Sequence, residues 1–195
     1  MSWLILLVIV IIIIIIIWVI KKRKGKIYVK SHIDNKQYLV QAMENKIEAT
    51  RLLSIIRQRI FLLKDYFLNN MDHYPEFLPY IRQFCDRVDN ITLTENSPNG
   101  DHTSYTINKG QEIALCLRSK HGYALHDLNL IMYVVLHELS HVACPEIDHT
   151  ELFKKIFIFF QQIAIKIGIY RQVNYQEDPH EYCGLTITEN LLSNQ

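Results

Sequence analysis

The chain has 195 residues, with Lys+Arg 21 against Asp+Glu 20 and a formal net charge of +1. So even a balance excludes a nucleic-acid binder that works by bulk electrostatic attraction. Gly 6 and Pro 5 exclude collagen-like and long low-complexity tracts, and about 175 residues remain beyond an uncharged N-terminal stretch, enough for one compact core.

Residues 3–20 read WLILLVIVIIIIIIIWVI. As a helix at about 1.5 Å per residue, this stretch reaches roughly 27 Å, close to a hydrocarbon core. Trp3 and Trp18 stand near its ends, where indole favours the membrane interface. The leader Met1-Ser2 carries no charge and no small-residue cleavage site follows, so the stretch reads as an uncleaved single-pass anchor. Lys21-Lys22-Arg23-Lys24-Gly25-Lys26 follows it directly. By the positive-inside tendency, everything beyond faces the cytosol. The expected organisation is a transmembrane anchor at 1–20, a basic juxtamembrane segment at 21–26, and a single domain at 27–195. Cys85, Cys116, Cys144 and Cys183 are scattered without a CxxC pair, which predicts four free thiols in a reducing compartment.

Residues 27–40, IYVKSHIDNKQYLV, predict two strands around a turn at Asp34-Asn35-Lys36. Residues 42–70 predict a long helix with Ile47, Leu52, Ile56, Ile60, Leu63 and Phe67 on its apolar face. Pro75 and Pro79 frame a break before a short helix near 76–88. The stretch 94–104, TENSPNGDHTS, reads as a polar loop. Tyr105–Ile107 and Glu112–Arg118 suit a hairpin joined through Asn108-Lys109-Gly110. Asp127 can cap a helix that runs to about Ala143, with Pro145 just past its end. A last helix near 150–167 would bury Phe153, Ile156, Phe157, Phe160, Ala164 and Ile167, and Gly168 would stop it. The tail, 169–195, is rich in Tyr and polar residues and predicts little regular structure.

The chemistry concentrates in His137-Glu138-Leu139-Ser140-His141. Histidines at i and i+4 share one helix face, so both imidazoles can reach one metal, with Glu138 placed to accept a proton from an activated water. Two ligands, one base and an open coordination position are what a zinc hydrolase needs. A chance HExxH in a chain of this composition arises only about 2% of the time. Zinc usually takes a third protein ligand. His149, across the Cys144-Pro145 break, is the leading choice; Glu146, Asp148, His180 and Glu181 are rivals. Tyr175, Tyr182 and His180 could each help to hold an oxyanion, and the 112–118 strand could offer its edge to an extended substrate. Cys116 and Cys144, near the motif, read as buried apolar residues.

HELSHVACPEIDHTELF resembles the HExxH, short gap, HxxxF signature of WLM-type zinc metalloproteases and the related minimal gluzincin-like domains. TSYTINKGQEIALCLRSK, LHDLNLIMYVVLHELSH, the hairpin YVKSHIDNKQYLV and the closing YCGLTI look like the membrane-anchored putative metallopeptidases of large DNA viruses. The resemblance spans most of 27–187, and its metal motif is the specific part. It implies an α+β, zincin-like fold: a small antiparallel sheet with an HExxH helix and long packing helices, behind one N-terminal transmembrane helix. It also implies zinc on His137, His141 and His149, with Glu138 as general base and acid. The gap from His141 to His149 is longer than in the cellular relatives, which bears on the third ligand.

These features predict a membrane-anchored zinc metallopeptidase that acts on protein or peptide substrates, with no nucleic-acid partner. The alternative is a non-catalytic structural viral membrane protein that keeps the zinc fold as a scaffold. A purely structural zinc has no need of Glu138, which favours catalysis. A DNA–protein crosslink protease would need a basic DNA-facing surface, against the charge balance.

Overall fold

The structure, a computed structural model, describes residue 3 and residues 5–13, 25–100 and 102–188. The expected first hairpin is present: β1 (Lys26–Lys30) pairs antiparallel with β2 (Gln37–Gln41). The Asp34 carboxylate accepts from the Lys36 N–H at 3.1 Å, and Asn35 takes the positive φ of 59° that closes the turn.

Helix α1 (Lys46–Asn70) buries Ala49, Leu53, Ile56, Ile60, Leu63 and Phe67 completely. Their three- and four-residue spacing forms one stripe, which packs against β1, β2 and β3. Ile47, expected on that face, is exposed, and Leu52 is half-buried, because the stripe runs through Leu53 instead. A single 3-10 turn (Met71–His73) leads to α2 (Leu78–Val88), where Pro79 sits in the first turn and needs no intrahelical partner.

The polar stretch that reads as a loop opens as a strand, β3 (Thr92–Asn96). Thr94, Glu95 and Asn96 are all buried. Their polar atoms are satisfied inside: Thr94 Oγ1 donates to Glu112 Oε1 at 2.8 Å, and Asn96 Nδ2 to the His102 carbonyl at 2.6 Å. Glu95 receives Arg118 Nε at 2.6 Å and the Gln41 N–H at 2.7 Å. A fully buried ion pair therefore takes the place of apolar side chains, which is why no hydrophobic alternation marks this strand.

β4 (Tyr105–Ile107) and β5 (Glu112–Cys116) form the second expected hairpin, β5 stopping short of Arg118. The five-stranded sheet has the order β1-β2-β3-β5-β4. It is mixed, not antiparallel as expected: β2–β3 and β3–β5 run parallel, and the two outer pairs antiparallel. For β2–β3 the reason lies in α1 and α2, which carry the chain back across the sheet, and for β3–β5 in β4, which runs the opposite way on the outside and lets β5 insert beside β3.

Helix α3 (Leu128–Ala143) is capped as expected, the Asp127 carboxylate accepting from the Asn129 N–H at 2.8 Å. Helix α4 (Glu151–Lys166) buries Phe153, Ile156, Phe157, Phe160 and Ala164. Ile167 is half-buried, and Gly168, with φ 73°, ends the helix. Phe67, Phe84 and Phe160 meet with ring centroids 5.1–5.7 Å apart and join α1, α2 and α4 in one core.

The tail departs from expectation. β6 (His180–Tyr182) and β7 (Leu185–Ile187) form a hairpin whose turn, Cys183-Gly184, has both φ positive. Cys183 is disulfide-bonded to Cys116, with Cα atoms 6.3 Å apart. The expectation of four free thiols is therefore corrected: only Cys85 and Cys144 are free, both buried. A pairing across 67 residues, onto a hairpin hidden in a polar tail, leaves no local trace. The cysteines thus no longer speak for a reducing compartment.

Residues 5–13 are helical and exposed. Among the described residues no helix is long and apolar enough to cross a membrane. Much of the expected anchor at 3–20, and most of the basic cluster, lies outside the described residues.

Candidate metal centre

His137 and His141 project from one face of α3 because they stand one helical turn apart. His149 lies just ahead of Thr150, whose side chain caps α4 by accepting from the Phe153 N–H at 3.2 Å. The three rings converge through the same atom. The Nε2–Nε2 separations are 3.3 Å for His137–His141, 3.2 Å for His141–His149 and 3.0 Å for His137–His149. A tetrahedral ion with bonds of about 2.0–2.1 Å holds its donors about 3.3 Å apart. The three nitrogens therefore fit a zinc ion at three corners of a tetrahedron, the fourth being left for water or substrate.

Phe153, one turn into α4, holds the rings in place. It stacks on His141 at 4.2 Å and meets His137 and His149 edge-on at 5.0 and 4.9 Å. Burial depresses His137 to about 3 and His141 to about 4, with the neighbouring imidazoles adding to the effect. Both rings thus stay neutral at ordinary pH, the form that donates to a metal.

Glu138 is buried beside the triad and lines the same cleft of about 530 Å³. Thr106, on β4, donates its hydroxyl to Glu138 Oε2 at 2.6 Å. Burial raises the carboxyl to about 7, against the lowering effect of that hydrogen bond. A carboxylate tuned there can take a proton and give it back near neutrality.

The rival ligands do not join the nitrogens. Glu146 and Asp148 line the cleft, but Glu146 Oε2 accepts from Thr150 Oγ1 at 2.5 Å. His180 Nε2 lies 2.9 Å from Asp178 Oδ2, and Glu181 Oε1 accepts from the Gly184 N–H at 2.5 Å. Of the three oxyanion helpers, Tyr182 alone shares a cavity with Glu138, a second one of about 430 Å³ that adjoins the cleft at His137, Glu138 and His149. Its hydroxyl shares a 2.7 Å hydrogen bond with Ser104 Oγ. Tyr175 is buried against Tyr133 instead. Among the described residues the other close group of metal-type donors is Cys116, His126 and Cys183. There the disulfide occupies both sulfurs, and His126 Nε2 accepts from the Cys183 N–H at 3.3 Å. Cys144 is buried, as expected, and Cys116 is buried within the disulfide.

Thr106 and Lys109 carry no mark in the sequence of a role at this site. Both act across the cleft from α3, and only the sheet brings them there. The strand at the cleft is also not the expected one: β5 is flanked by β3 and β4, so among the described residues the sheet edge at the cleft is that of β4.

The chain is similar to several known proteins. An uncharacterized protein of Acanthamoeba polyphaga mimivirus is 57% identical over 173 residues, 88% of each chain. Uncharacterized proteins of Invertebrate iridescent viruses 3 and 6 are each 44% identical, over 36% and 34% of this chain and 43% and 38% of their own. A solved structure, a Wss1 mutant from Saccharomyces cerevisiae, is 21% identical and covers 67% of this chain and 92% of that one, with a TM-score of 0.45. The WLM domain matches residues 87–170, which span β3, the β4–β5 hairpin, α3 and α4. The chain belongs to the WLM domain family.

Proposed function

We propose that this chain is a zinc metallopeptidase, anchored in a membrane by residues 3–20, that hydrolyses peptide bonds on the cytosolic side. The observation that carries the reading is the convergence of three Nε2 atoms within 3.0–3.3 Å beside a buried carboxylate in an open cleft. His137, His141 and His149 would hold the zinc, which when bound supplies a Lewis acid and an activated water. Glu138 accepts the proton of the attacking water and delivers it to the leaving amine. Thr106 keeps one carboxylate oxygen occupied and so directs the other at the reacting centre. The Tyr182 phenol, beside Glu138, donates to the developing oxyanion. The free edge of β4 pairs with an extended peptide through main-chain hydrogen bonds, which gives affinity with little demand on sequence. Apolar content and Trp3 and Trp18 support the anchor, and the following basic cluster supports its orientation.

The test uses the detergent-solubilised full chain. It should bind one zinc per chain, and His137→Ala with His141→Ala should abolish binding. Glu138→Gln should retain zinc and lower kcat/KM on a peptide substrate by about a thousandfold. Zinc binding without any Glu138-dependent turnover would instead assign the chain as an inert scaffold.

A further inference from the structure

Resting on the metal-site reading above, we infer that Lys109 is the positioning residue for the third ligand, His149. After His141 the chain leaves α3 at Cys144 in an extended conformation and runs through the exposed residues 145–148, where Asp148 takes a φ of 65°. Helix ends leave carbonyls without intrahelical partners, and here other elements supply the donors. Arg87 Nη1 donates to Val142 O at 2.8 Å and Gln83 Nε2 to Ala143 O at 2.8 Å, both from α2. Lys109 comes from the opposite side. Its Nζ donates to Cys144 O at 2.9 Å, Pro145 O at 3.2 Å and Glu146 O at 2.8 Å.

Three consecutive carbonyls are thereby gathered on one ammonium. An ammonium has three N–H donors, so none is left to bind substrate or polarise a carbonyl. The role open to Lys109 is to set the path of the loop. Its backbone is built for this contact. Asn108 and Lys109 have φ of 47° and 52°, and Gly110 has φ 116°. A Cβ on Gly110 would stand 3.0 Å from Val142 Cγ1, so the turn presses directly on the end of α3. The positive charge also lies at the helix C-terminus, where the macrodipole favours it. On the far side of the loop, the Thr150–Glu146 hydrogen bond fastens the same carbonyl-bearing residue to the α4 cap. Held at both ends, the long gap delivers His149 to the other two imidazoles.

The experiment measures zinc affinity of the full chain in detergent by competition with a chromophoric chelator, for the parent, Lys109→Met, Lys109→Arg, His149→Ala and the Lys109→Met/His149→Ala pair. Lys109→Met should weaken zinc binding about tenfold or more, as loss of an outer-shell support does. Lys109→Arg, which can still donate to several carbonyls, should recover most of that. The thermal midpoint of the metal-free Lys109→Met chain should stay within a few degrees of the parent. The double variant should bind no more weakly than His149→Ala, because a positioning residue has nothing to add once its ligand is gone. Zinc affinity for Lys109→Met within twofold of the parent, or losses that add in full in the double variant, would overturn the assignment. A parent chain that binds no zinc would overturn the metallopeptidase reading itself, and this assignment with it.

Discussion

One wall of the cleft is a single run of chain, residues 128–153, while the facing wall is drawn from β4, the β4–β5 turn and the C-terminal hairpin. On the first wall, helical spacing alone aligns His137 with His141, and one loop brings His149 to them. On the second, Ser104 and Tyr182 share a hydrogen bond across 78 residues of sequence. Thr106 reaches Glu138 across 32, and Lys109 reaches Glu146 across 37. Ligands can therefore be encoded locally, whereas the groups that orient and tune them depend on the whole sheet.

Substitutions can break that contrast, and the largest effect is expected on the histidine wall. Phe153→Ala removes a buried ring that touches all three imidazoles, and should cost about 3–5 kcal/mol in a urea unfolding series. It should lower zinc affinity as well. Next comes the facing wall. Replacing Cys116 and Cys183 by Ser opens a loop of 67 residues and should cost about 2–4 kcal/mol. Faster amide exchange should then concentrate in β6 and β7, while α3 stays protected; loss of protection throughout α3 would show that the two walls fold as one unit. Smaller still, Thr106→Val should lower kcat about tenfold with little change in KM, as expected for one hydrogen bond to a charged group. Because the Thr106 hydroxyl lowers the Glu138 pKa, its removal should move the acid limb of the pH–rate profile to higher pH.

Within the first wall, neighbouring groups of the same helix respond to pH in opposite senses. His137 and His141 titrate at about 3 and 4 in the folded chain, below the ordinary value near 6.5. Their contribution to metal-free stability is present above pH 6.5 and is lost as pH falls towards 4. Glu138, raised to about 7, contributes most below its ordinary value near 4.5 and loses that contribution as pH rises through 7. Denaturant midpoints of the metal-free chain between pH 4 and 8 would separate the two. In Glu138→Gln the decline between about pH 4.5 and 7 should vanish and the acid decline should persist.

The same contrast explains what could be read in advance. The α1 stripe, the Asp127 cap, the α4 face and the two early hairpins follow from periodicity and capping, which are properties of neighbouring residues. His137, Glu138 and His141 were legible for the same reason, and His149 by its type and place. β3 was not, because Glu95 and Arg118 neutralise each other inside the sheet and give the strand a loop's composition. Nor was the tail hairpin, whose three-residue strands are too short for an alternation to stand out and gain their anchorage from Cys116. The mixed sheet followed from strand order, which periodicity does not encode.

The bond between Cys116 and Cys183 closes a covalent ring around α3, α4 and every candidate ligand. A cut in the exposed stretch 145–148, by a second copy of the chain or by any other protease, would leave both fragments tethered and the imidazoles still within reach of one another. Under oxidising conditions such nicked molecules should migrate as intact chains and separate only after reduction.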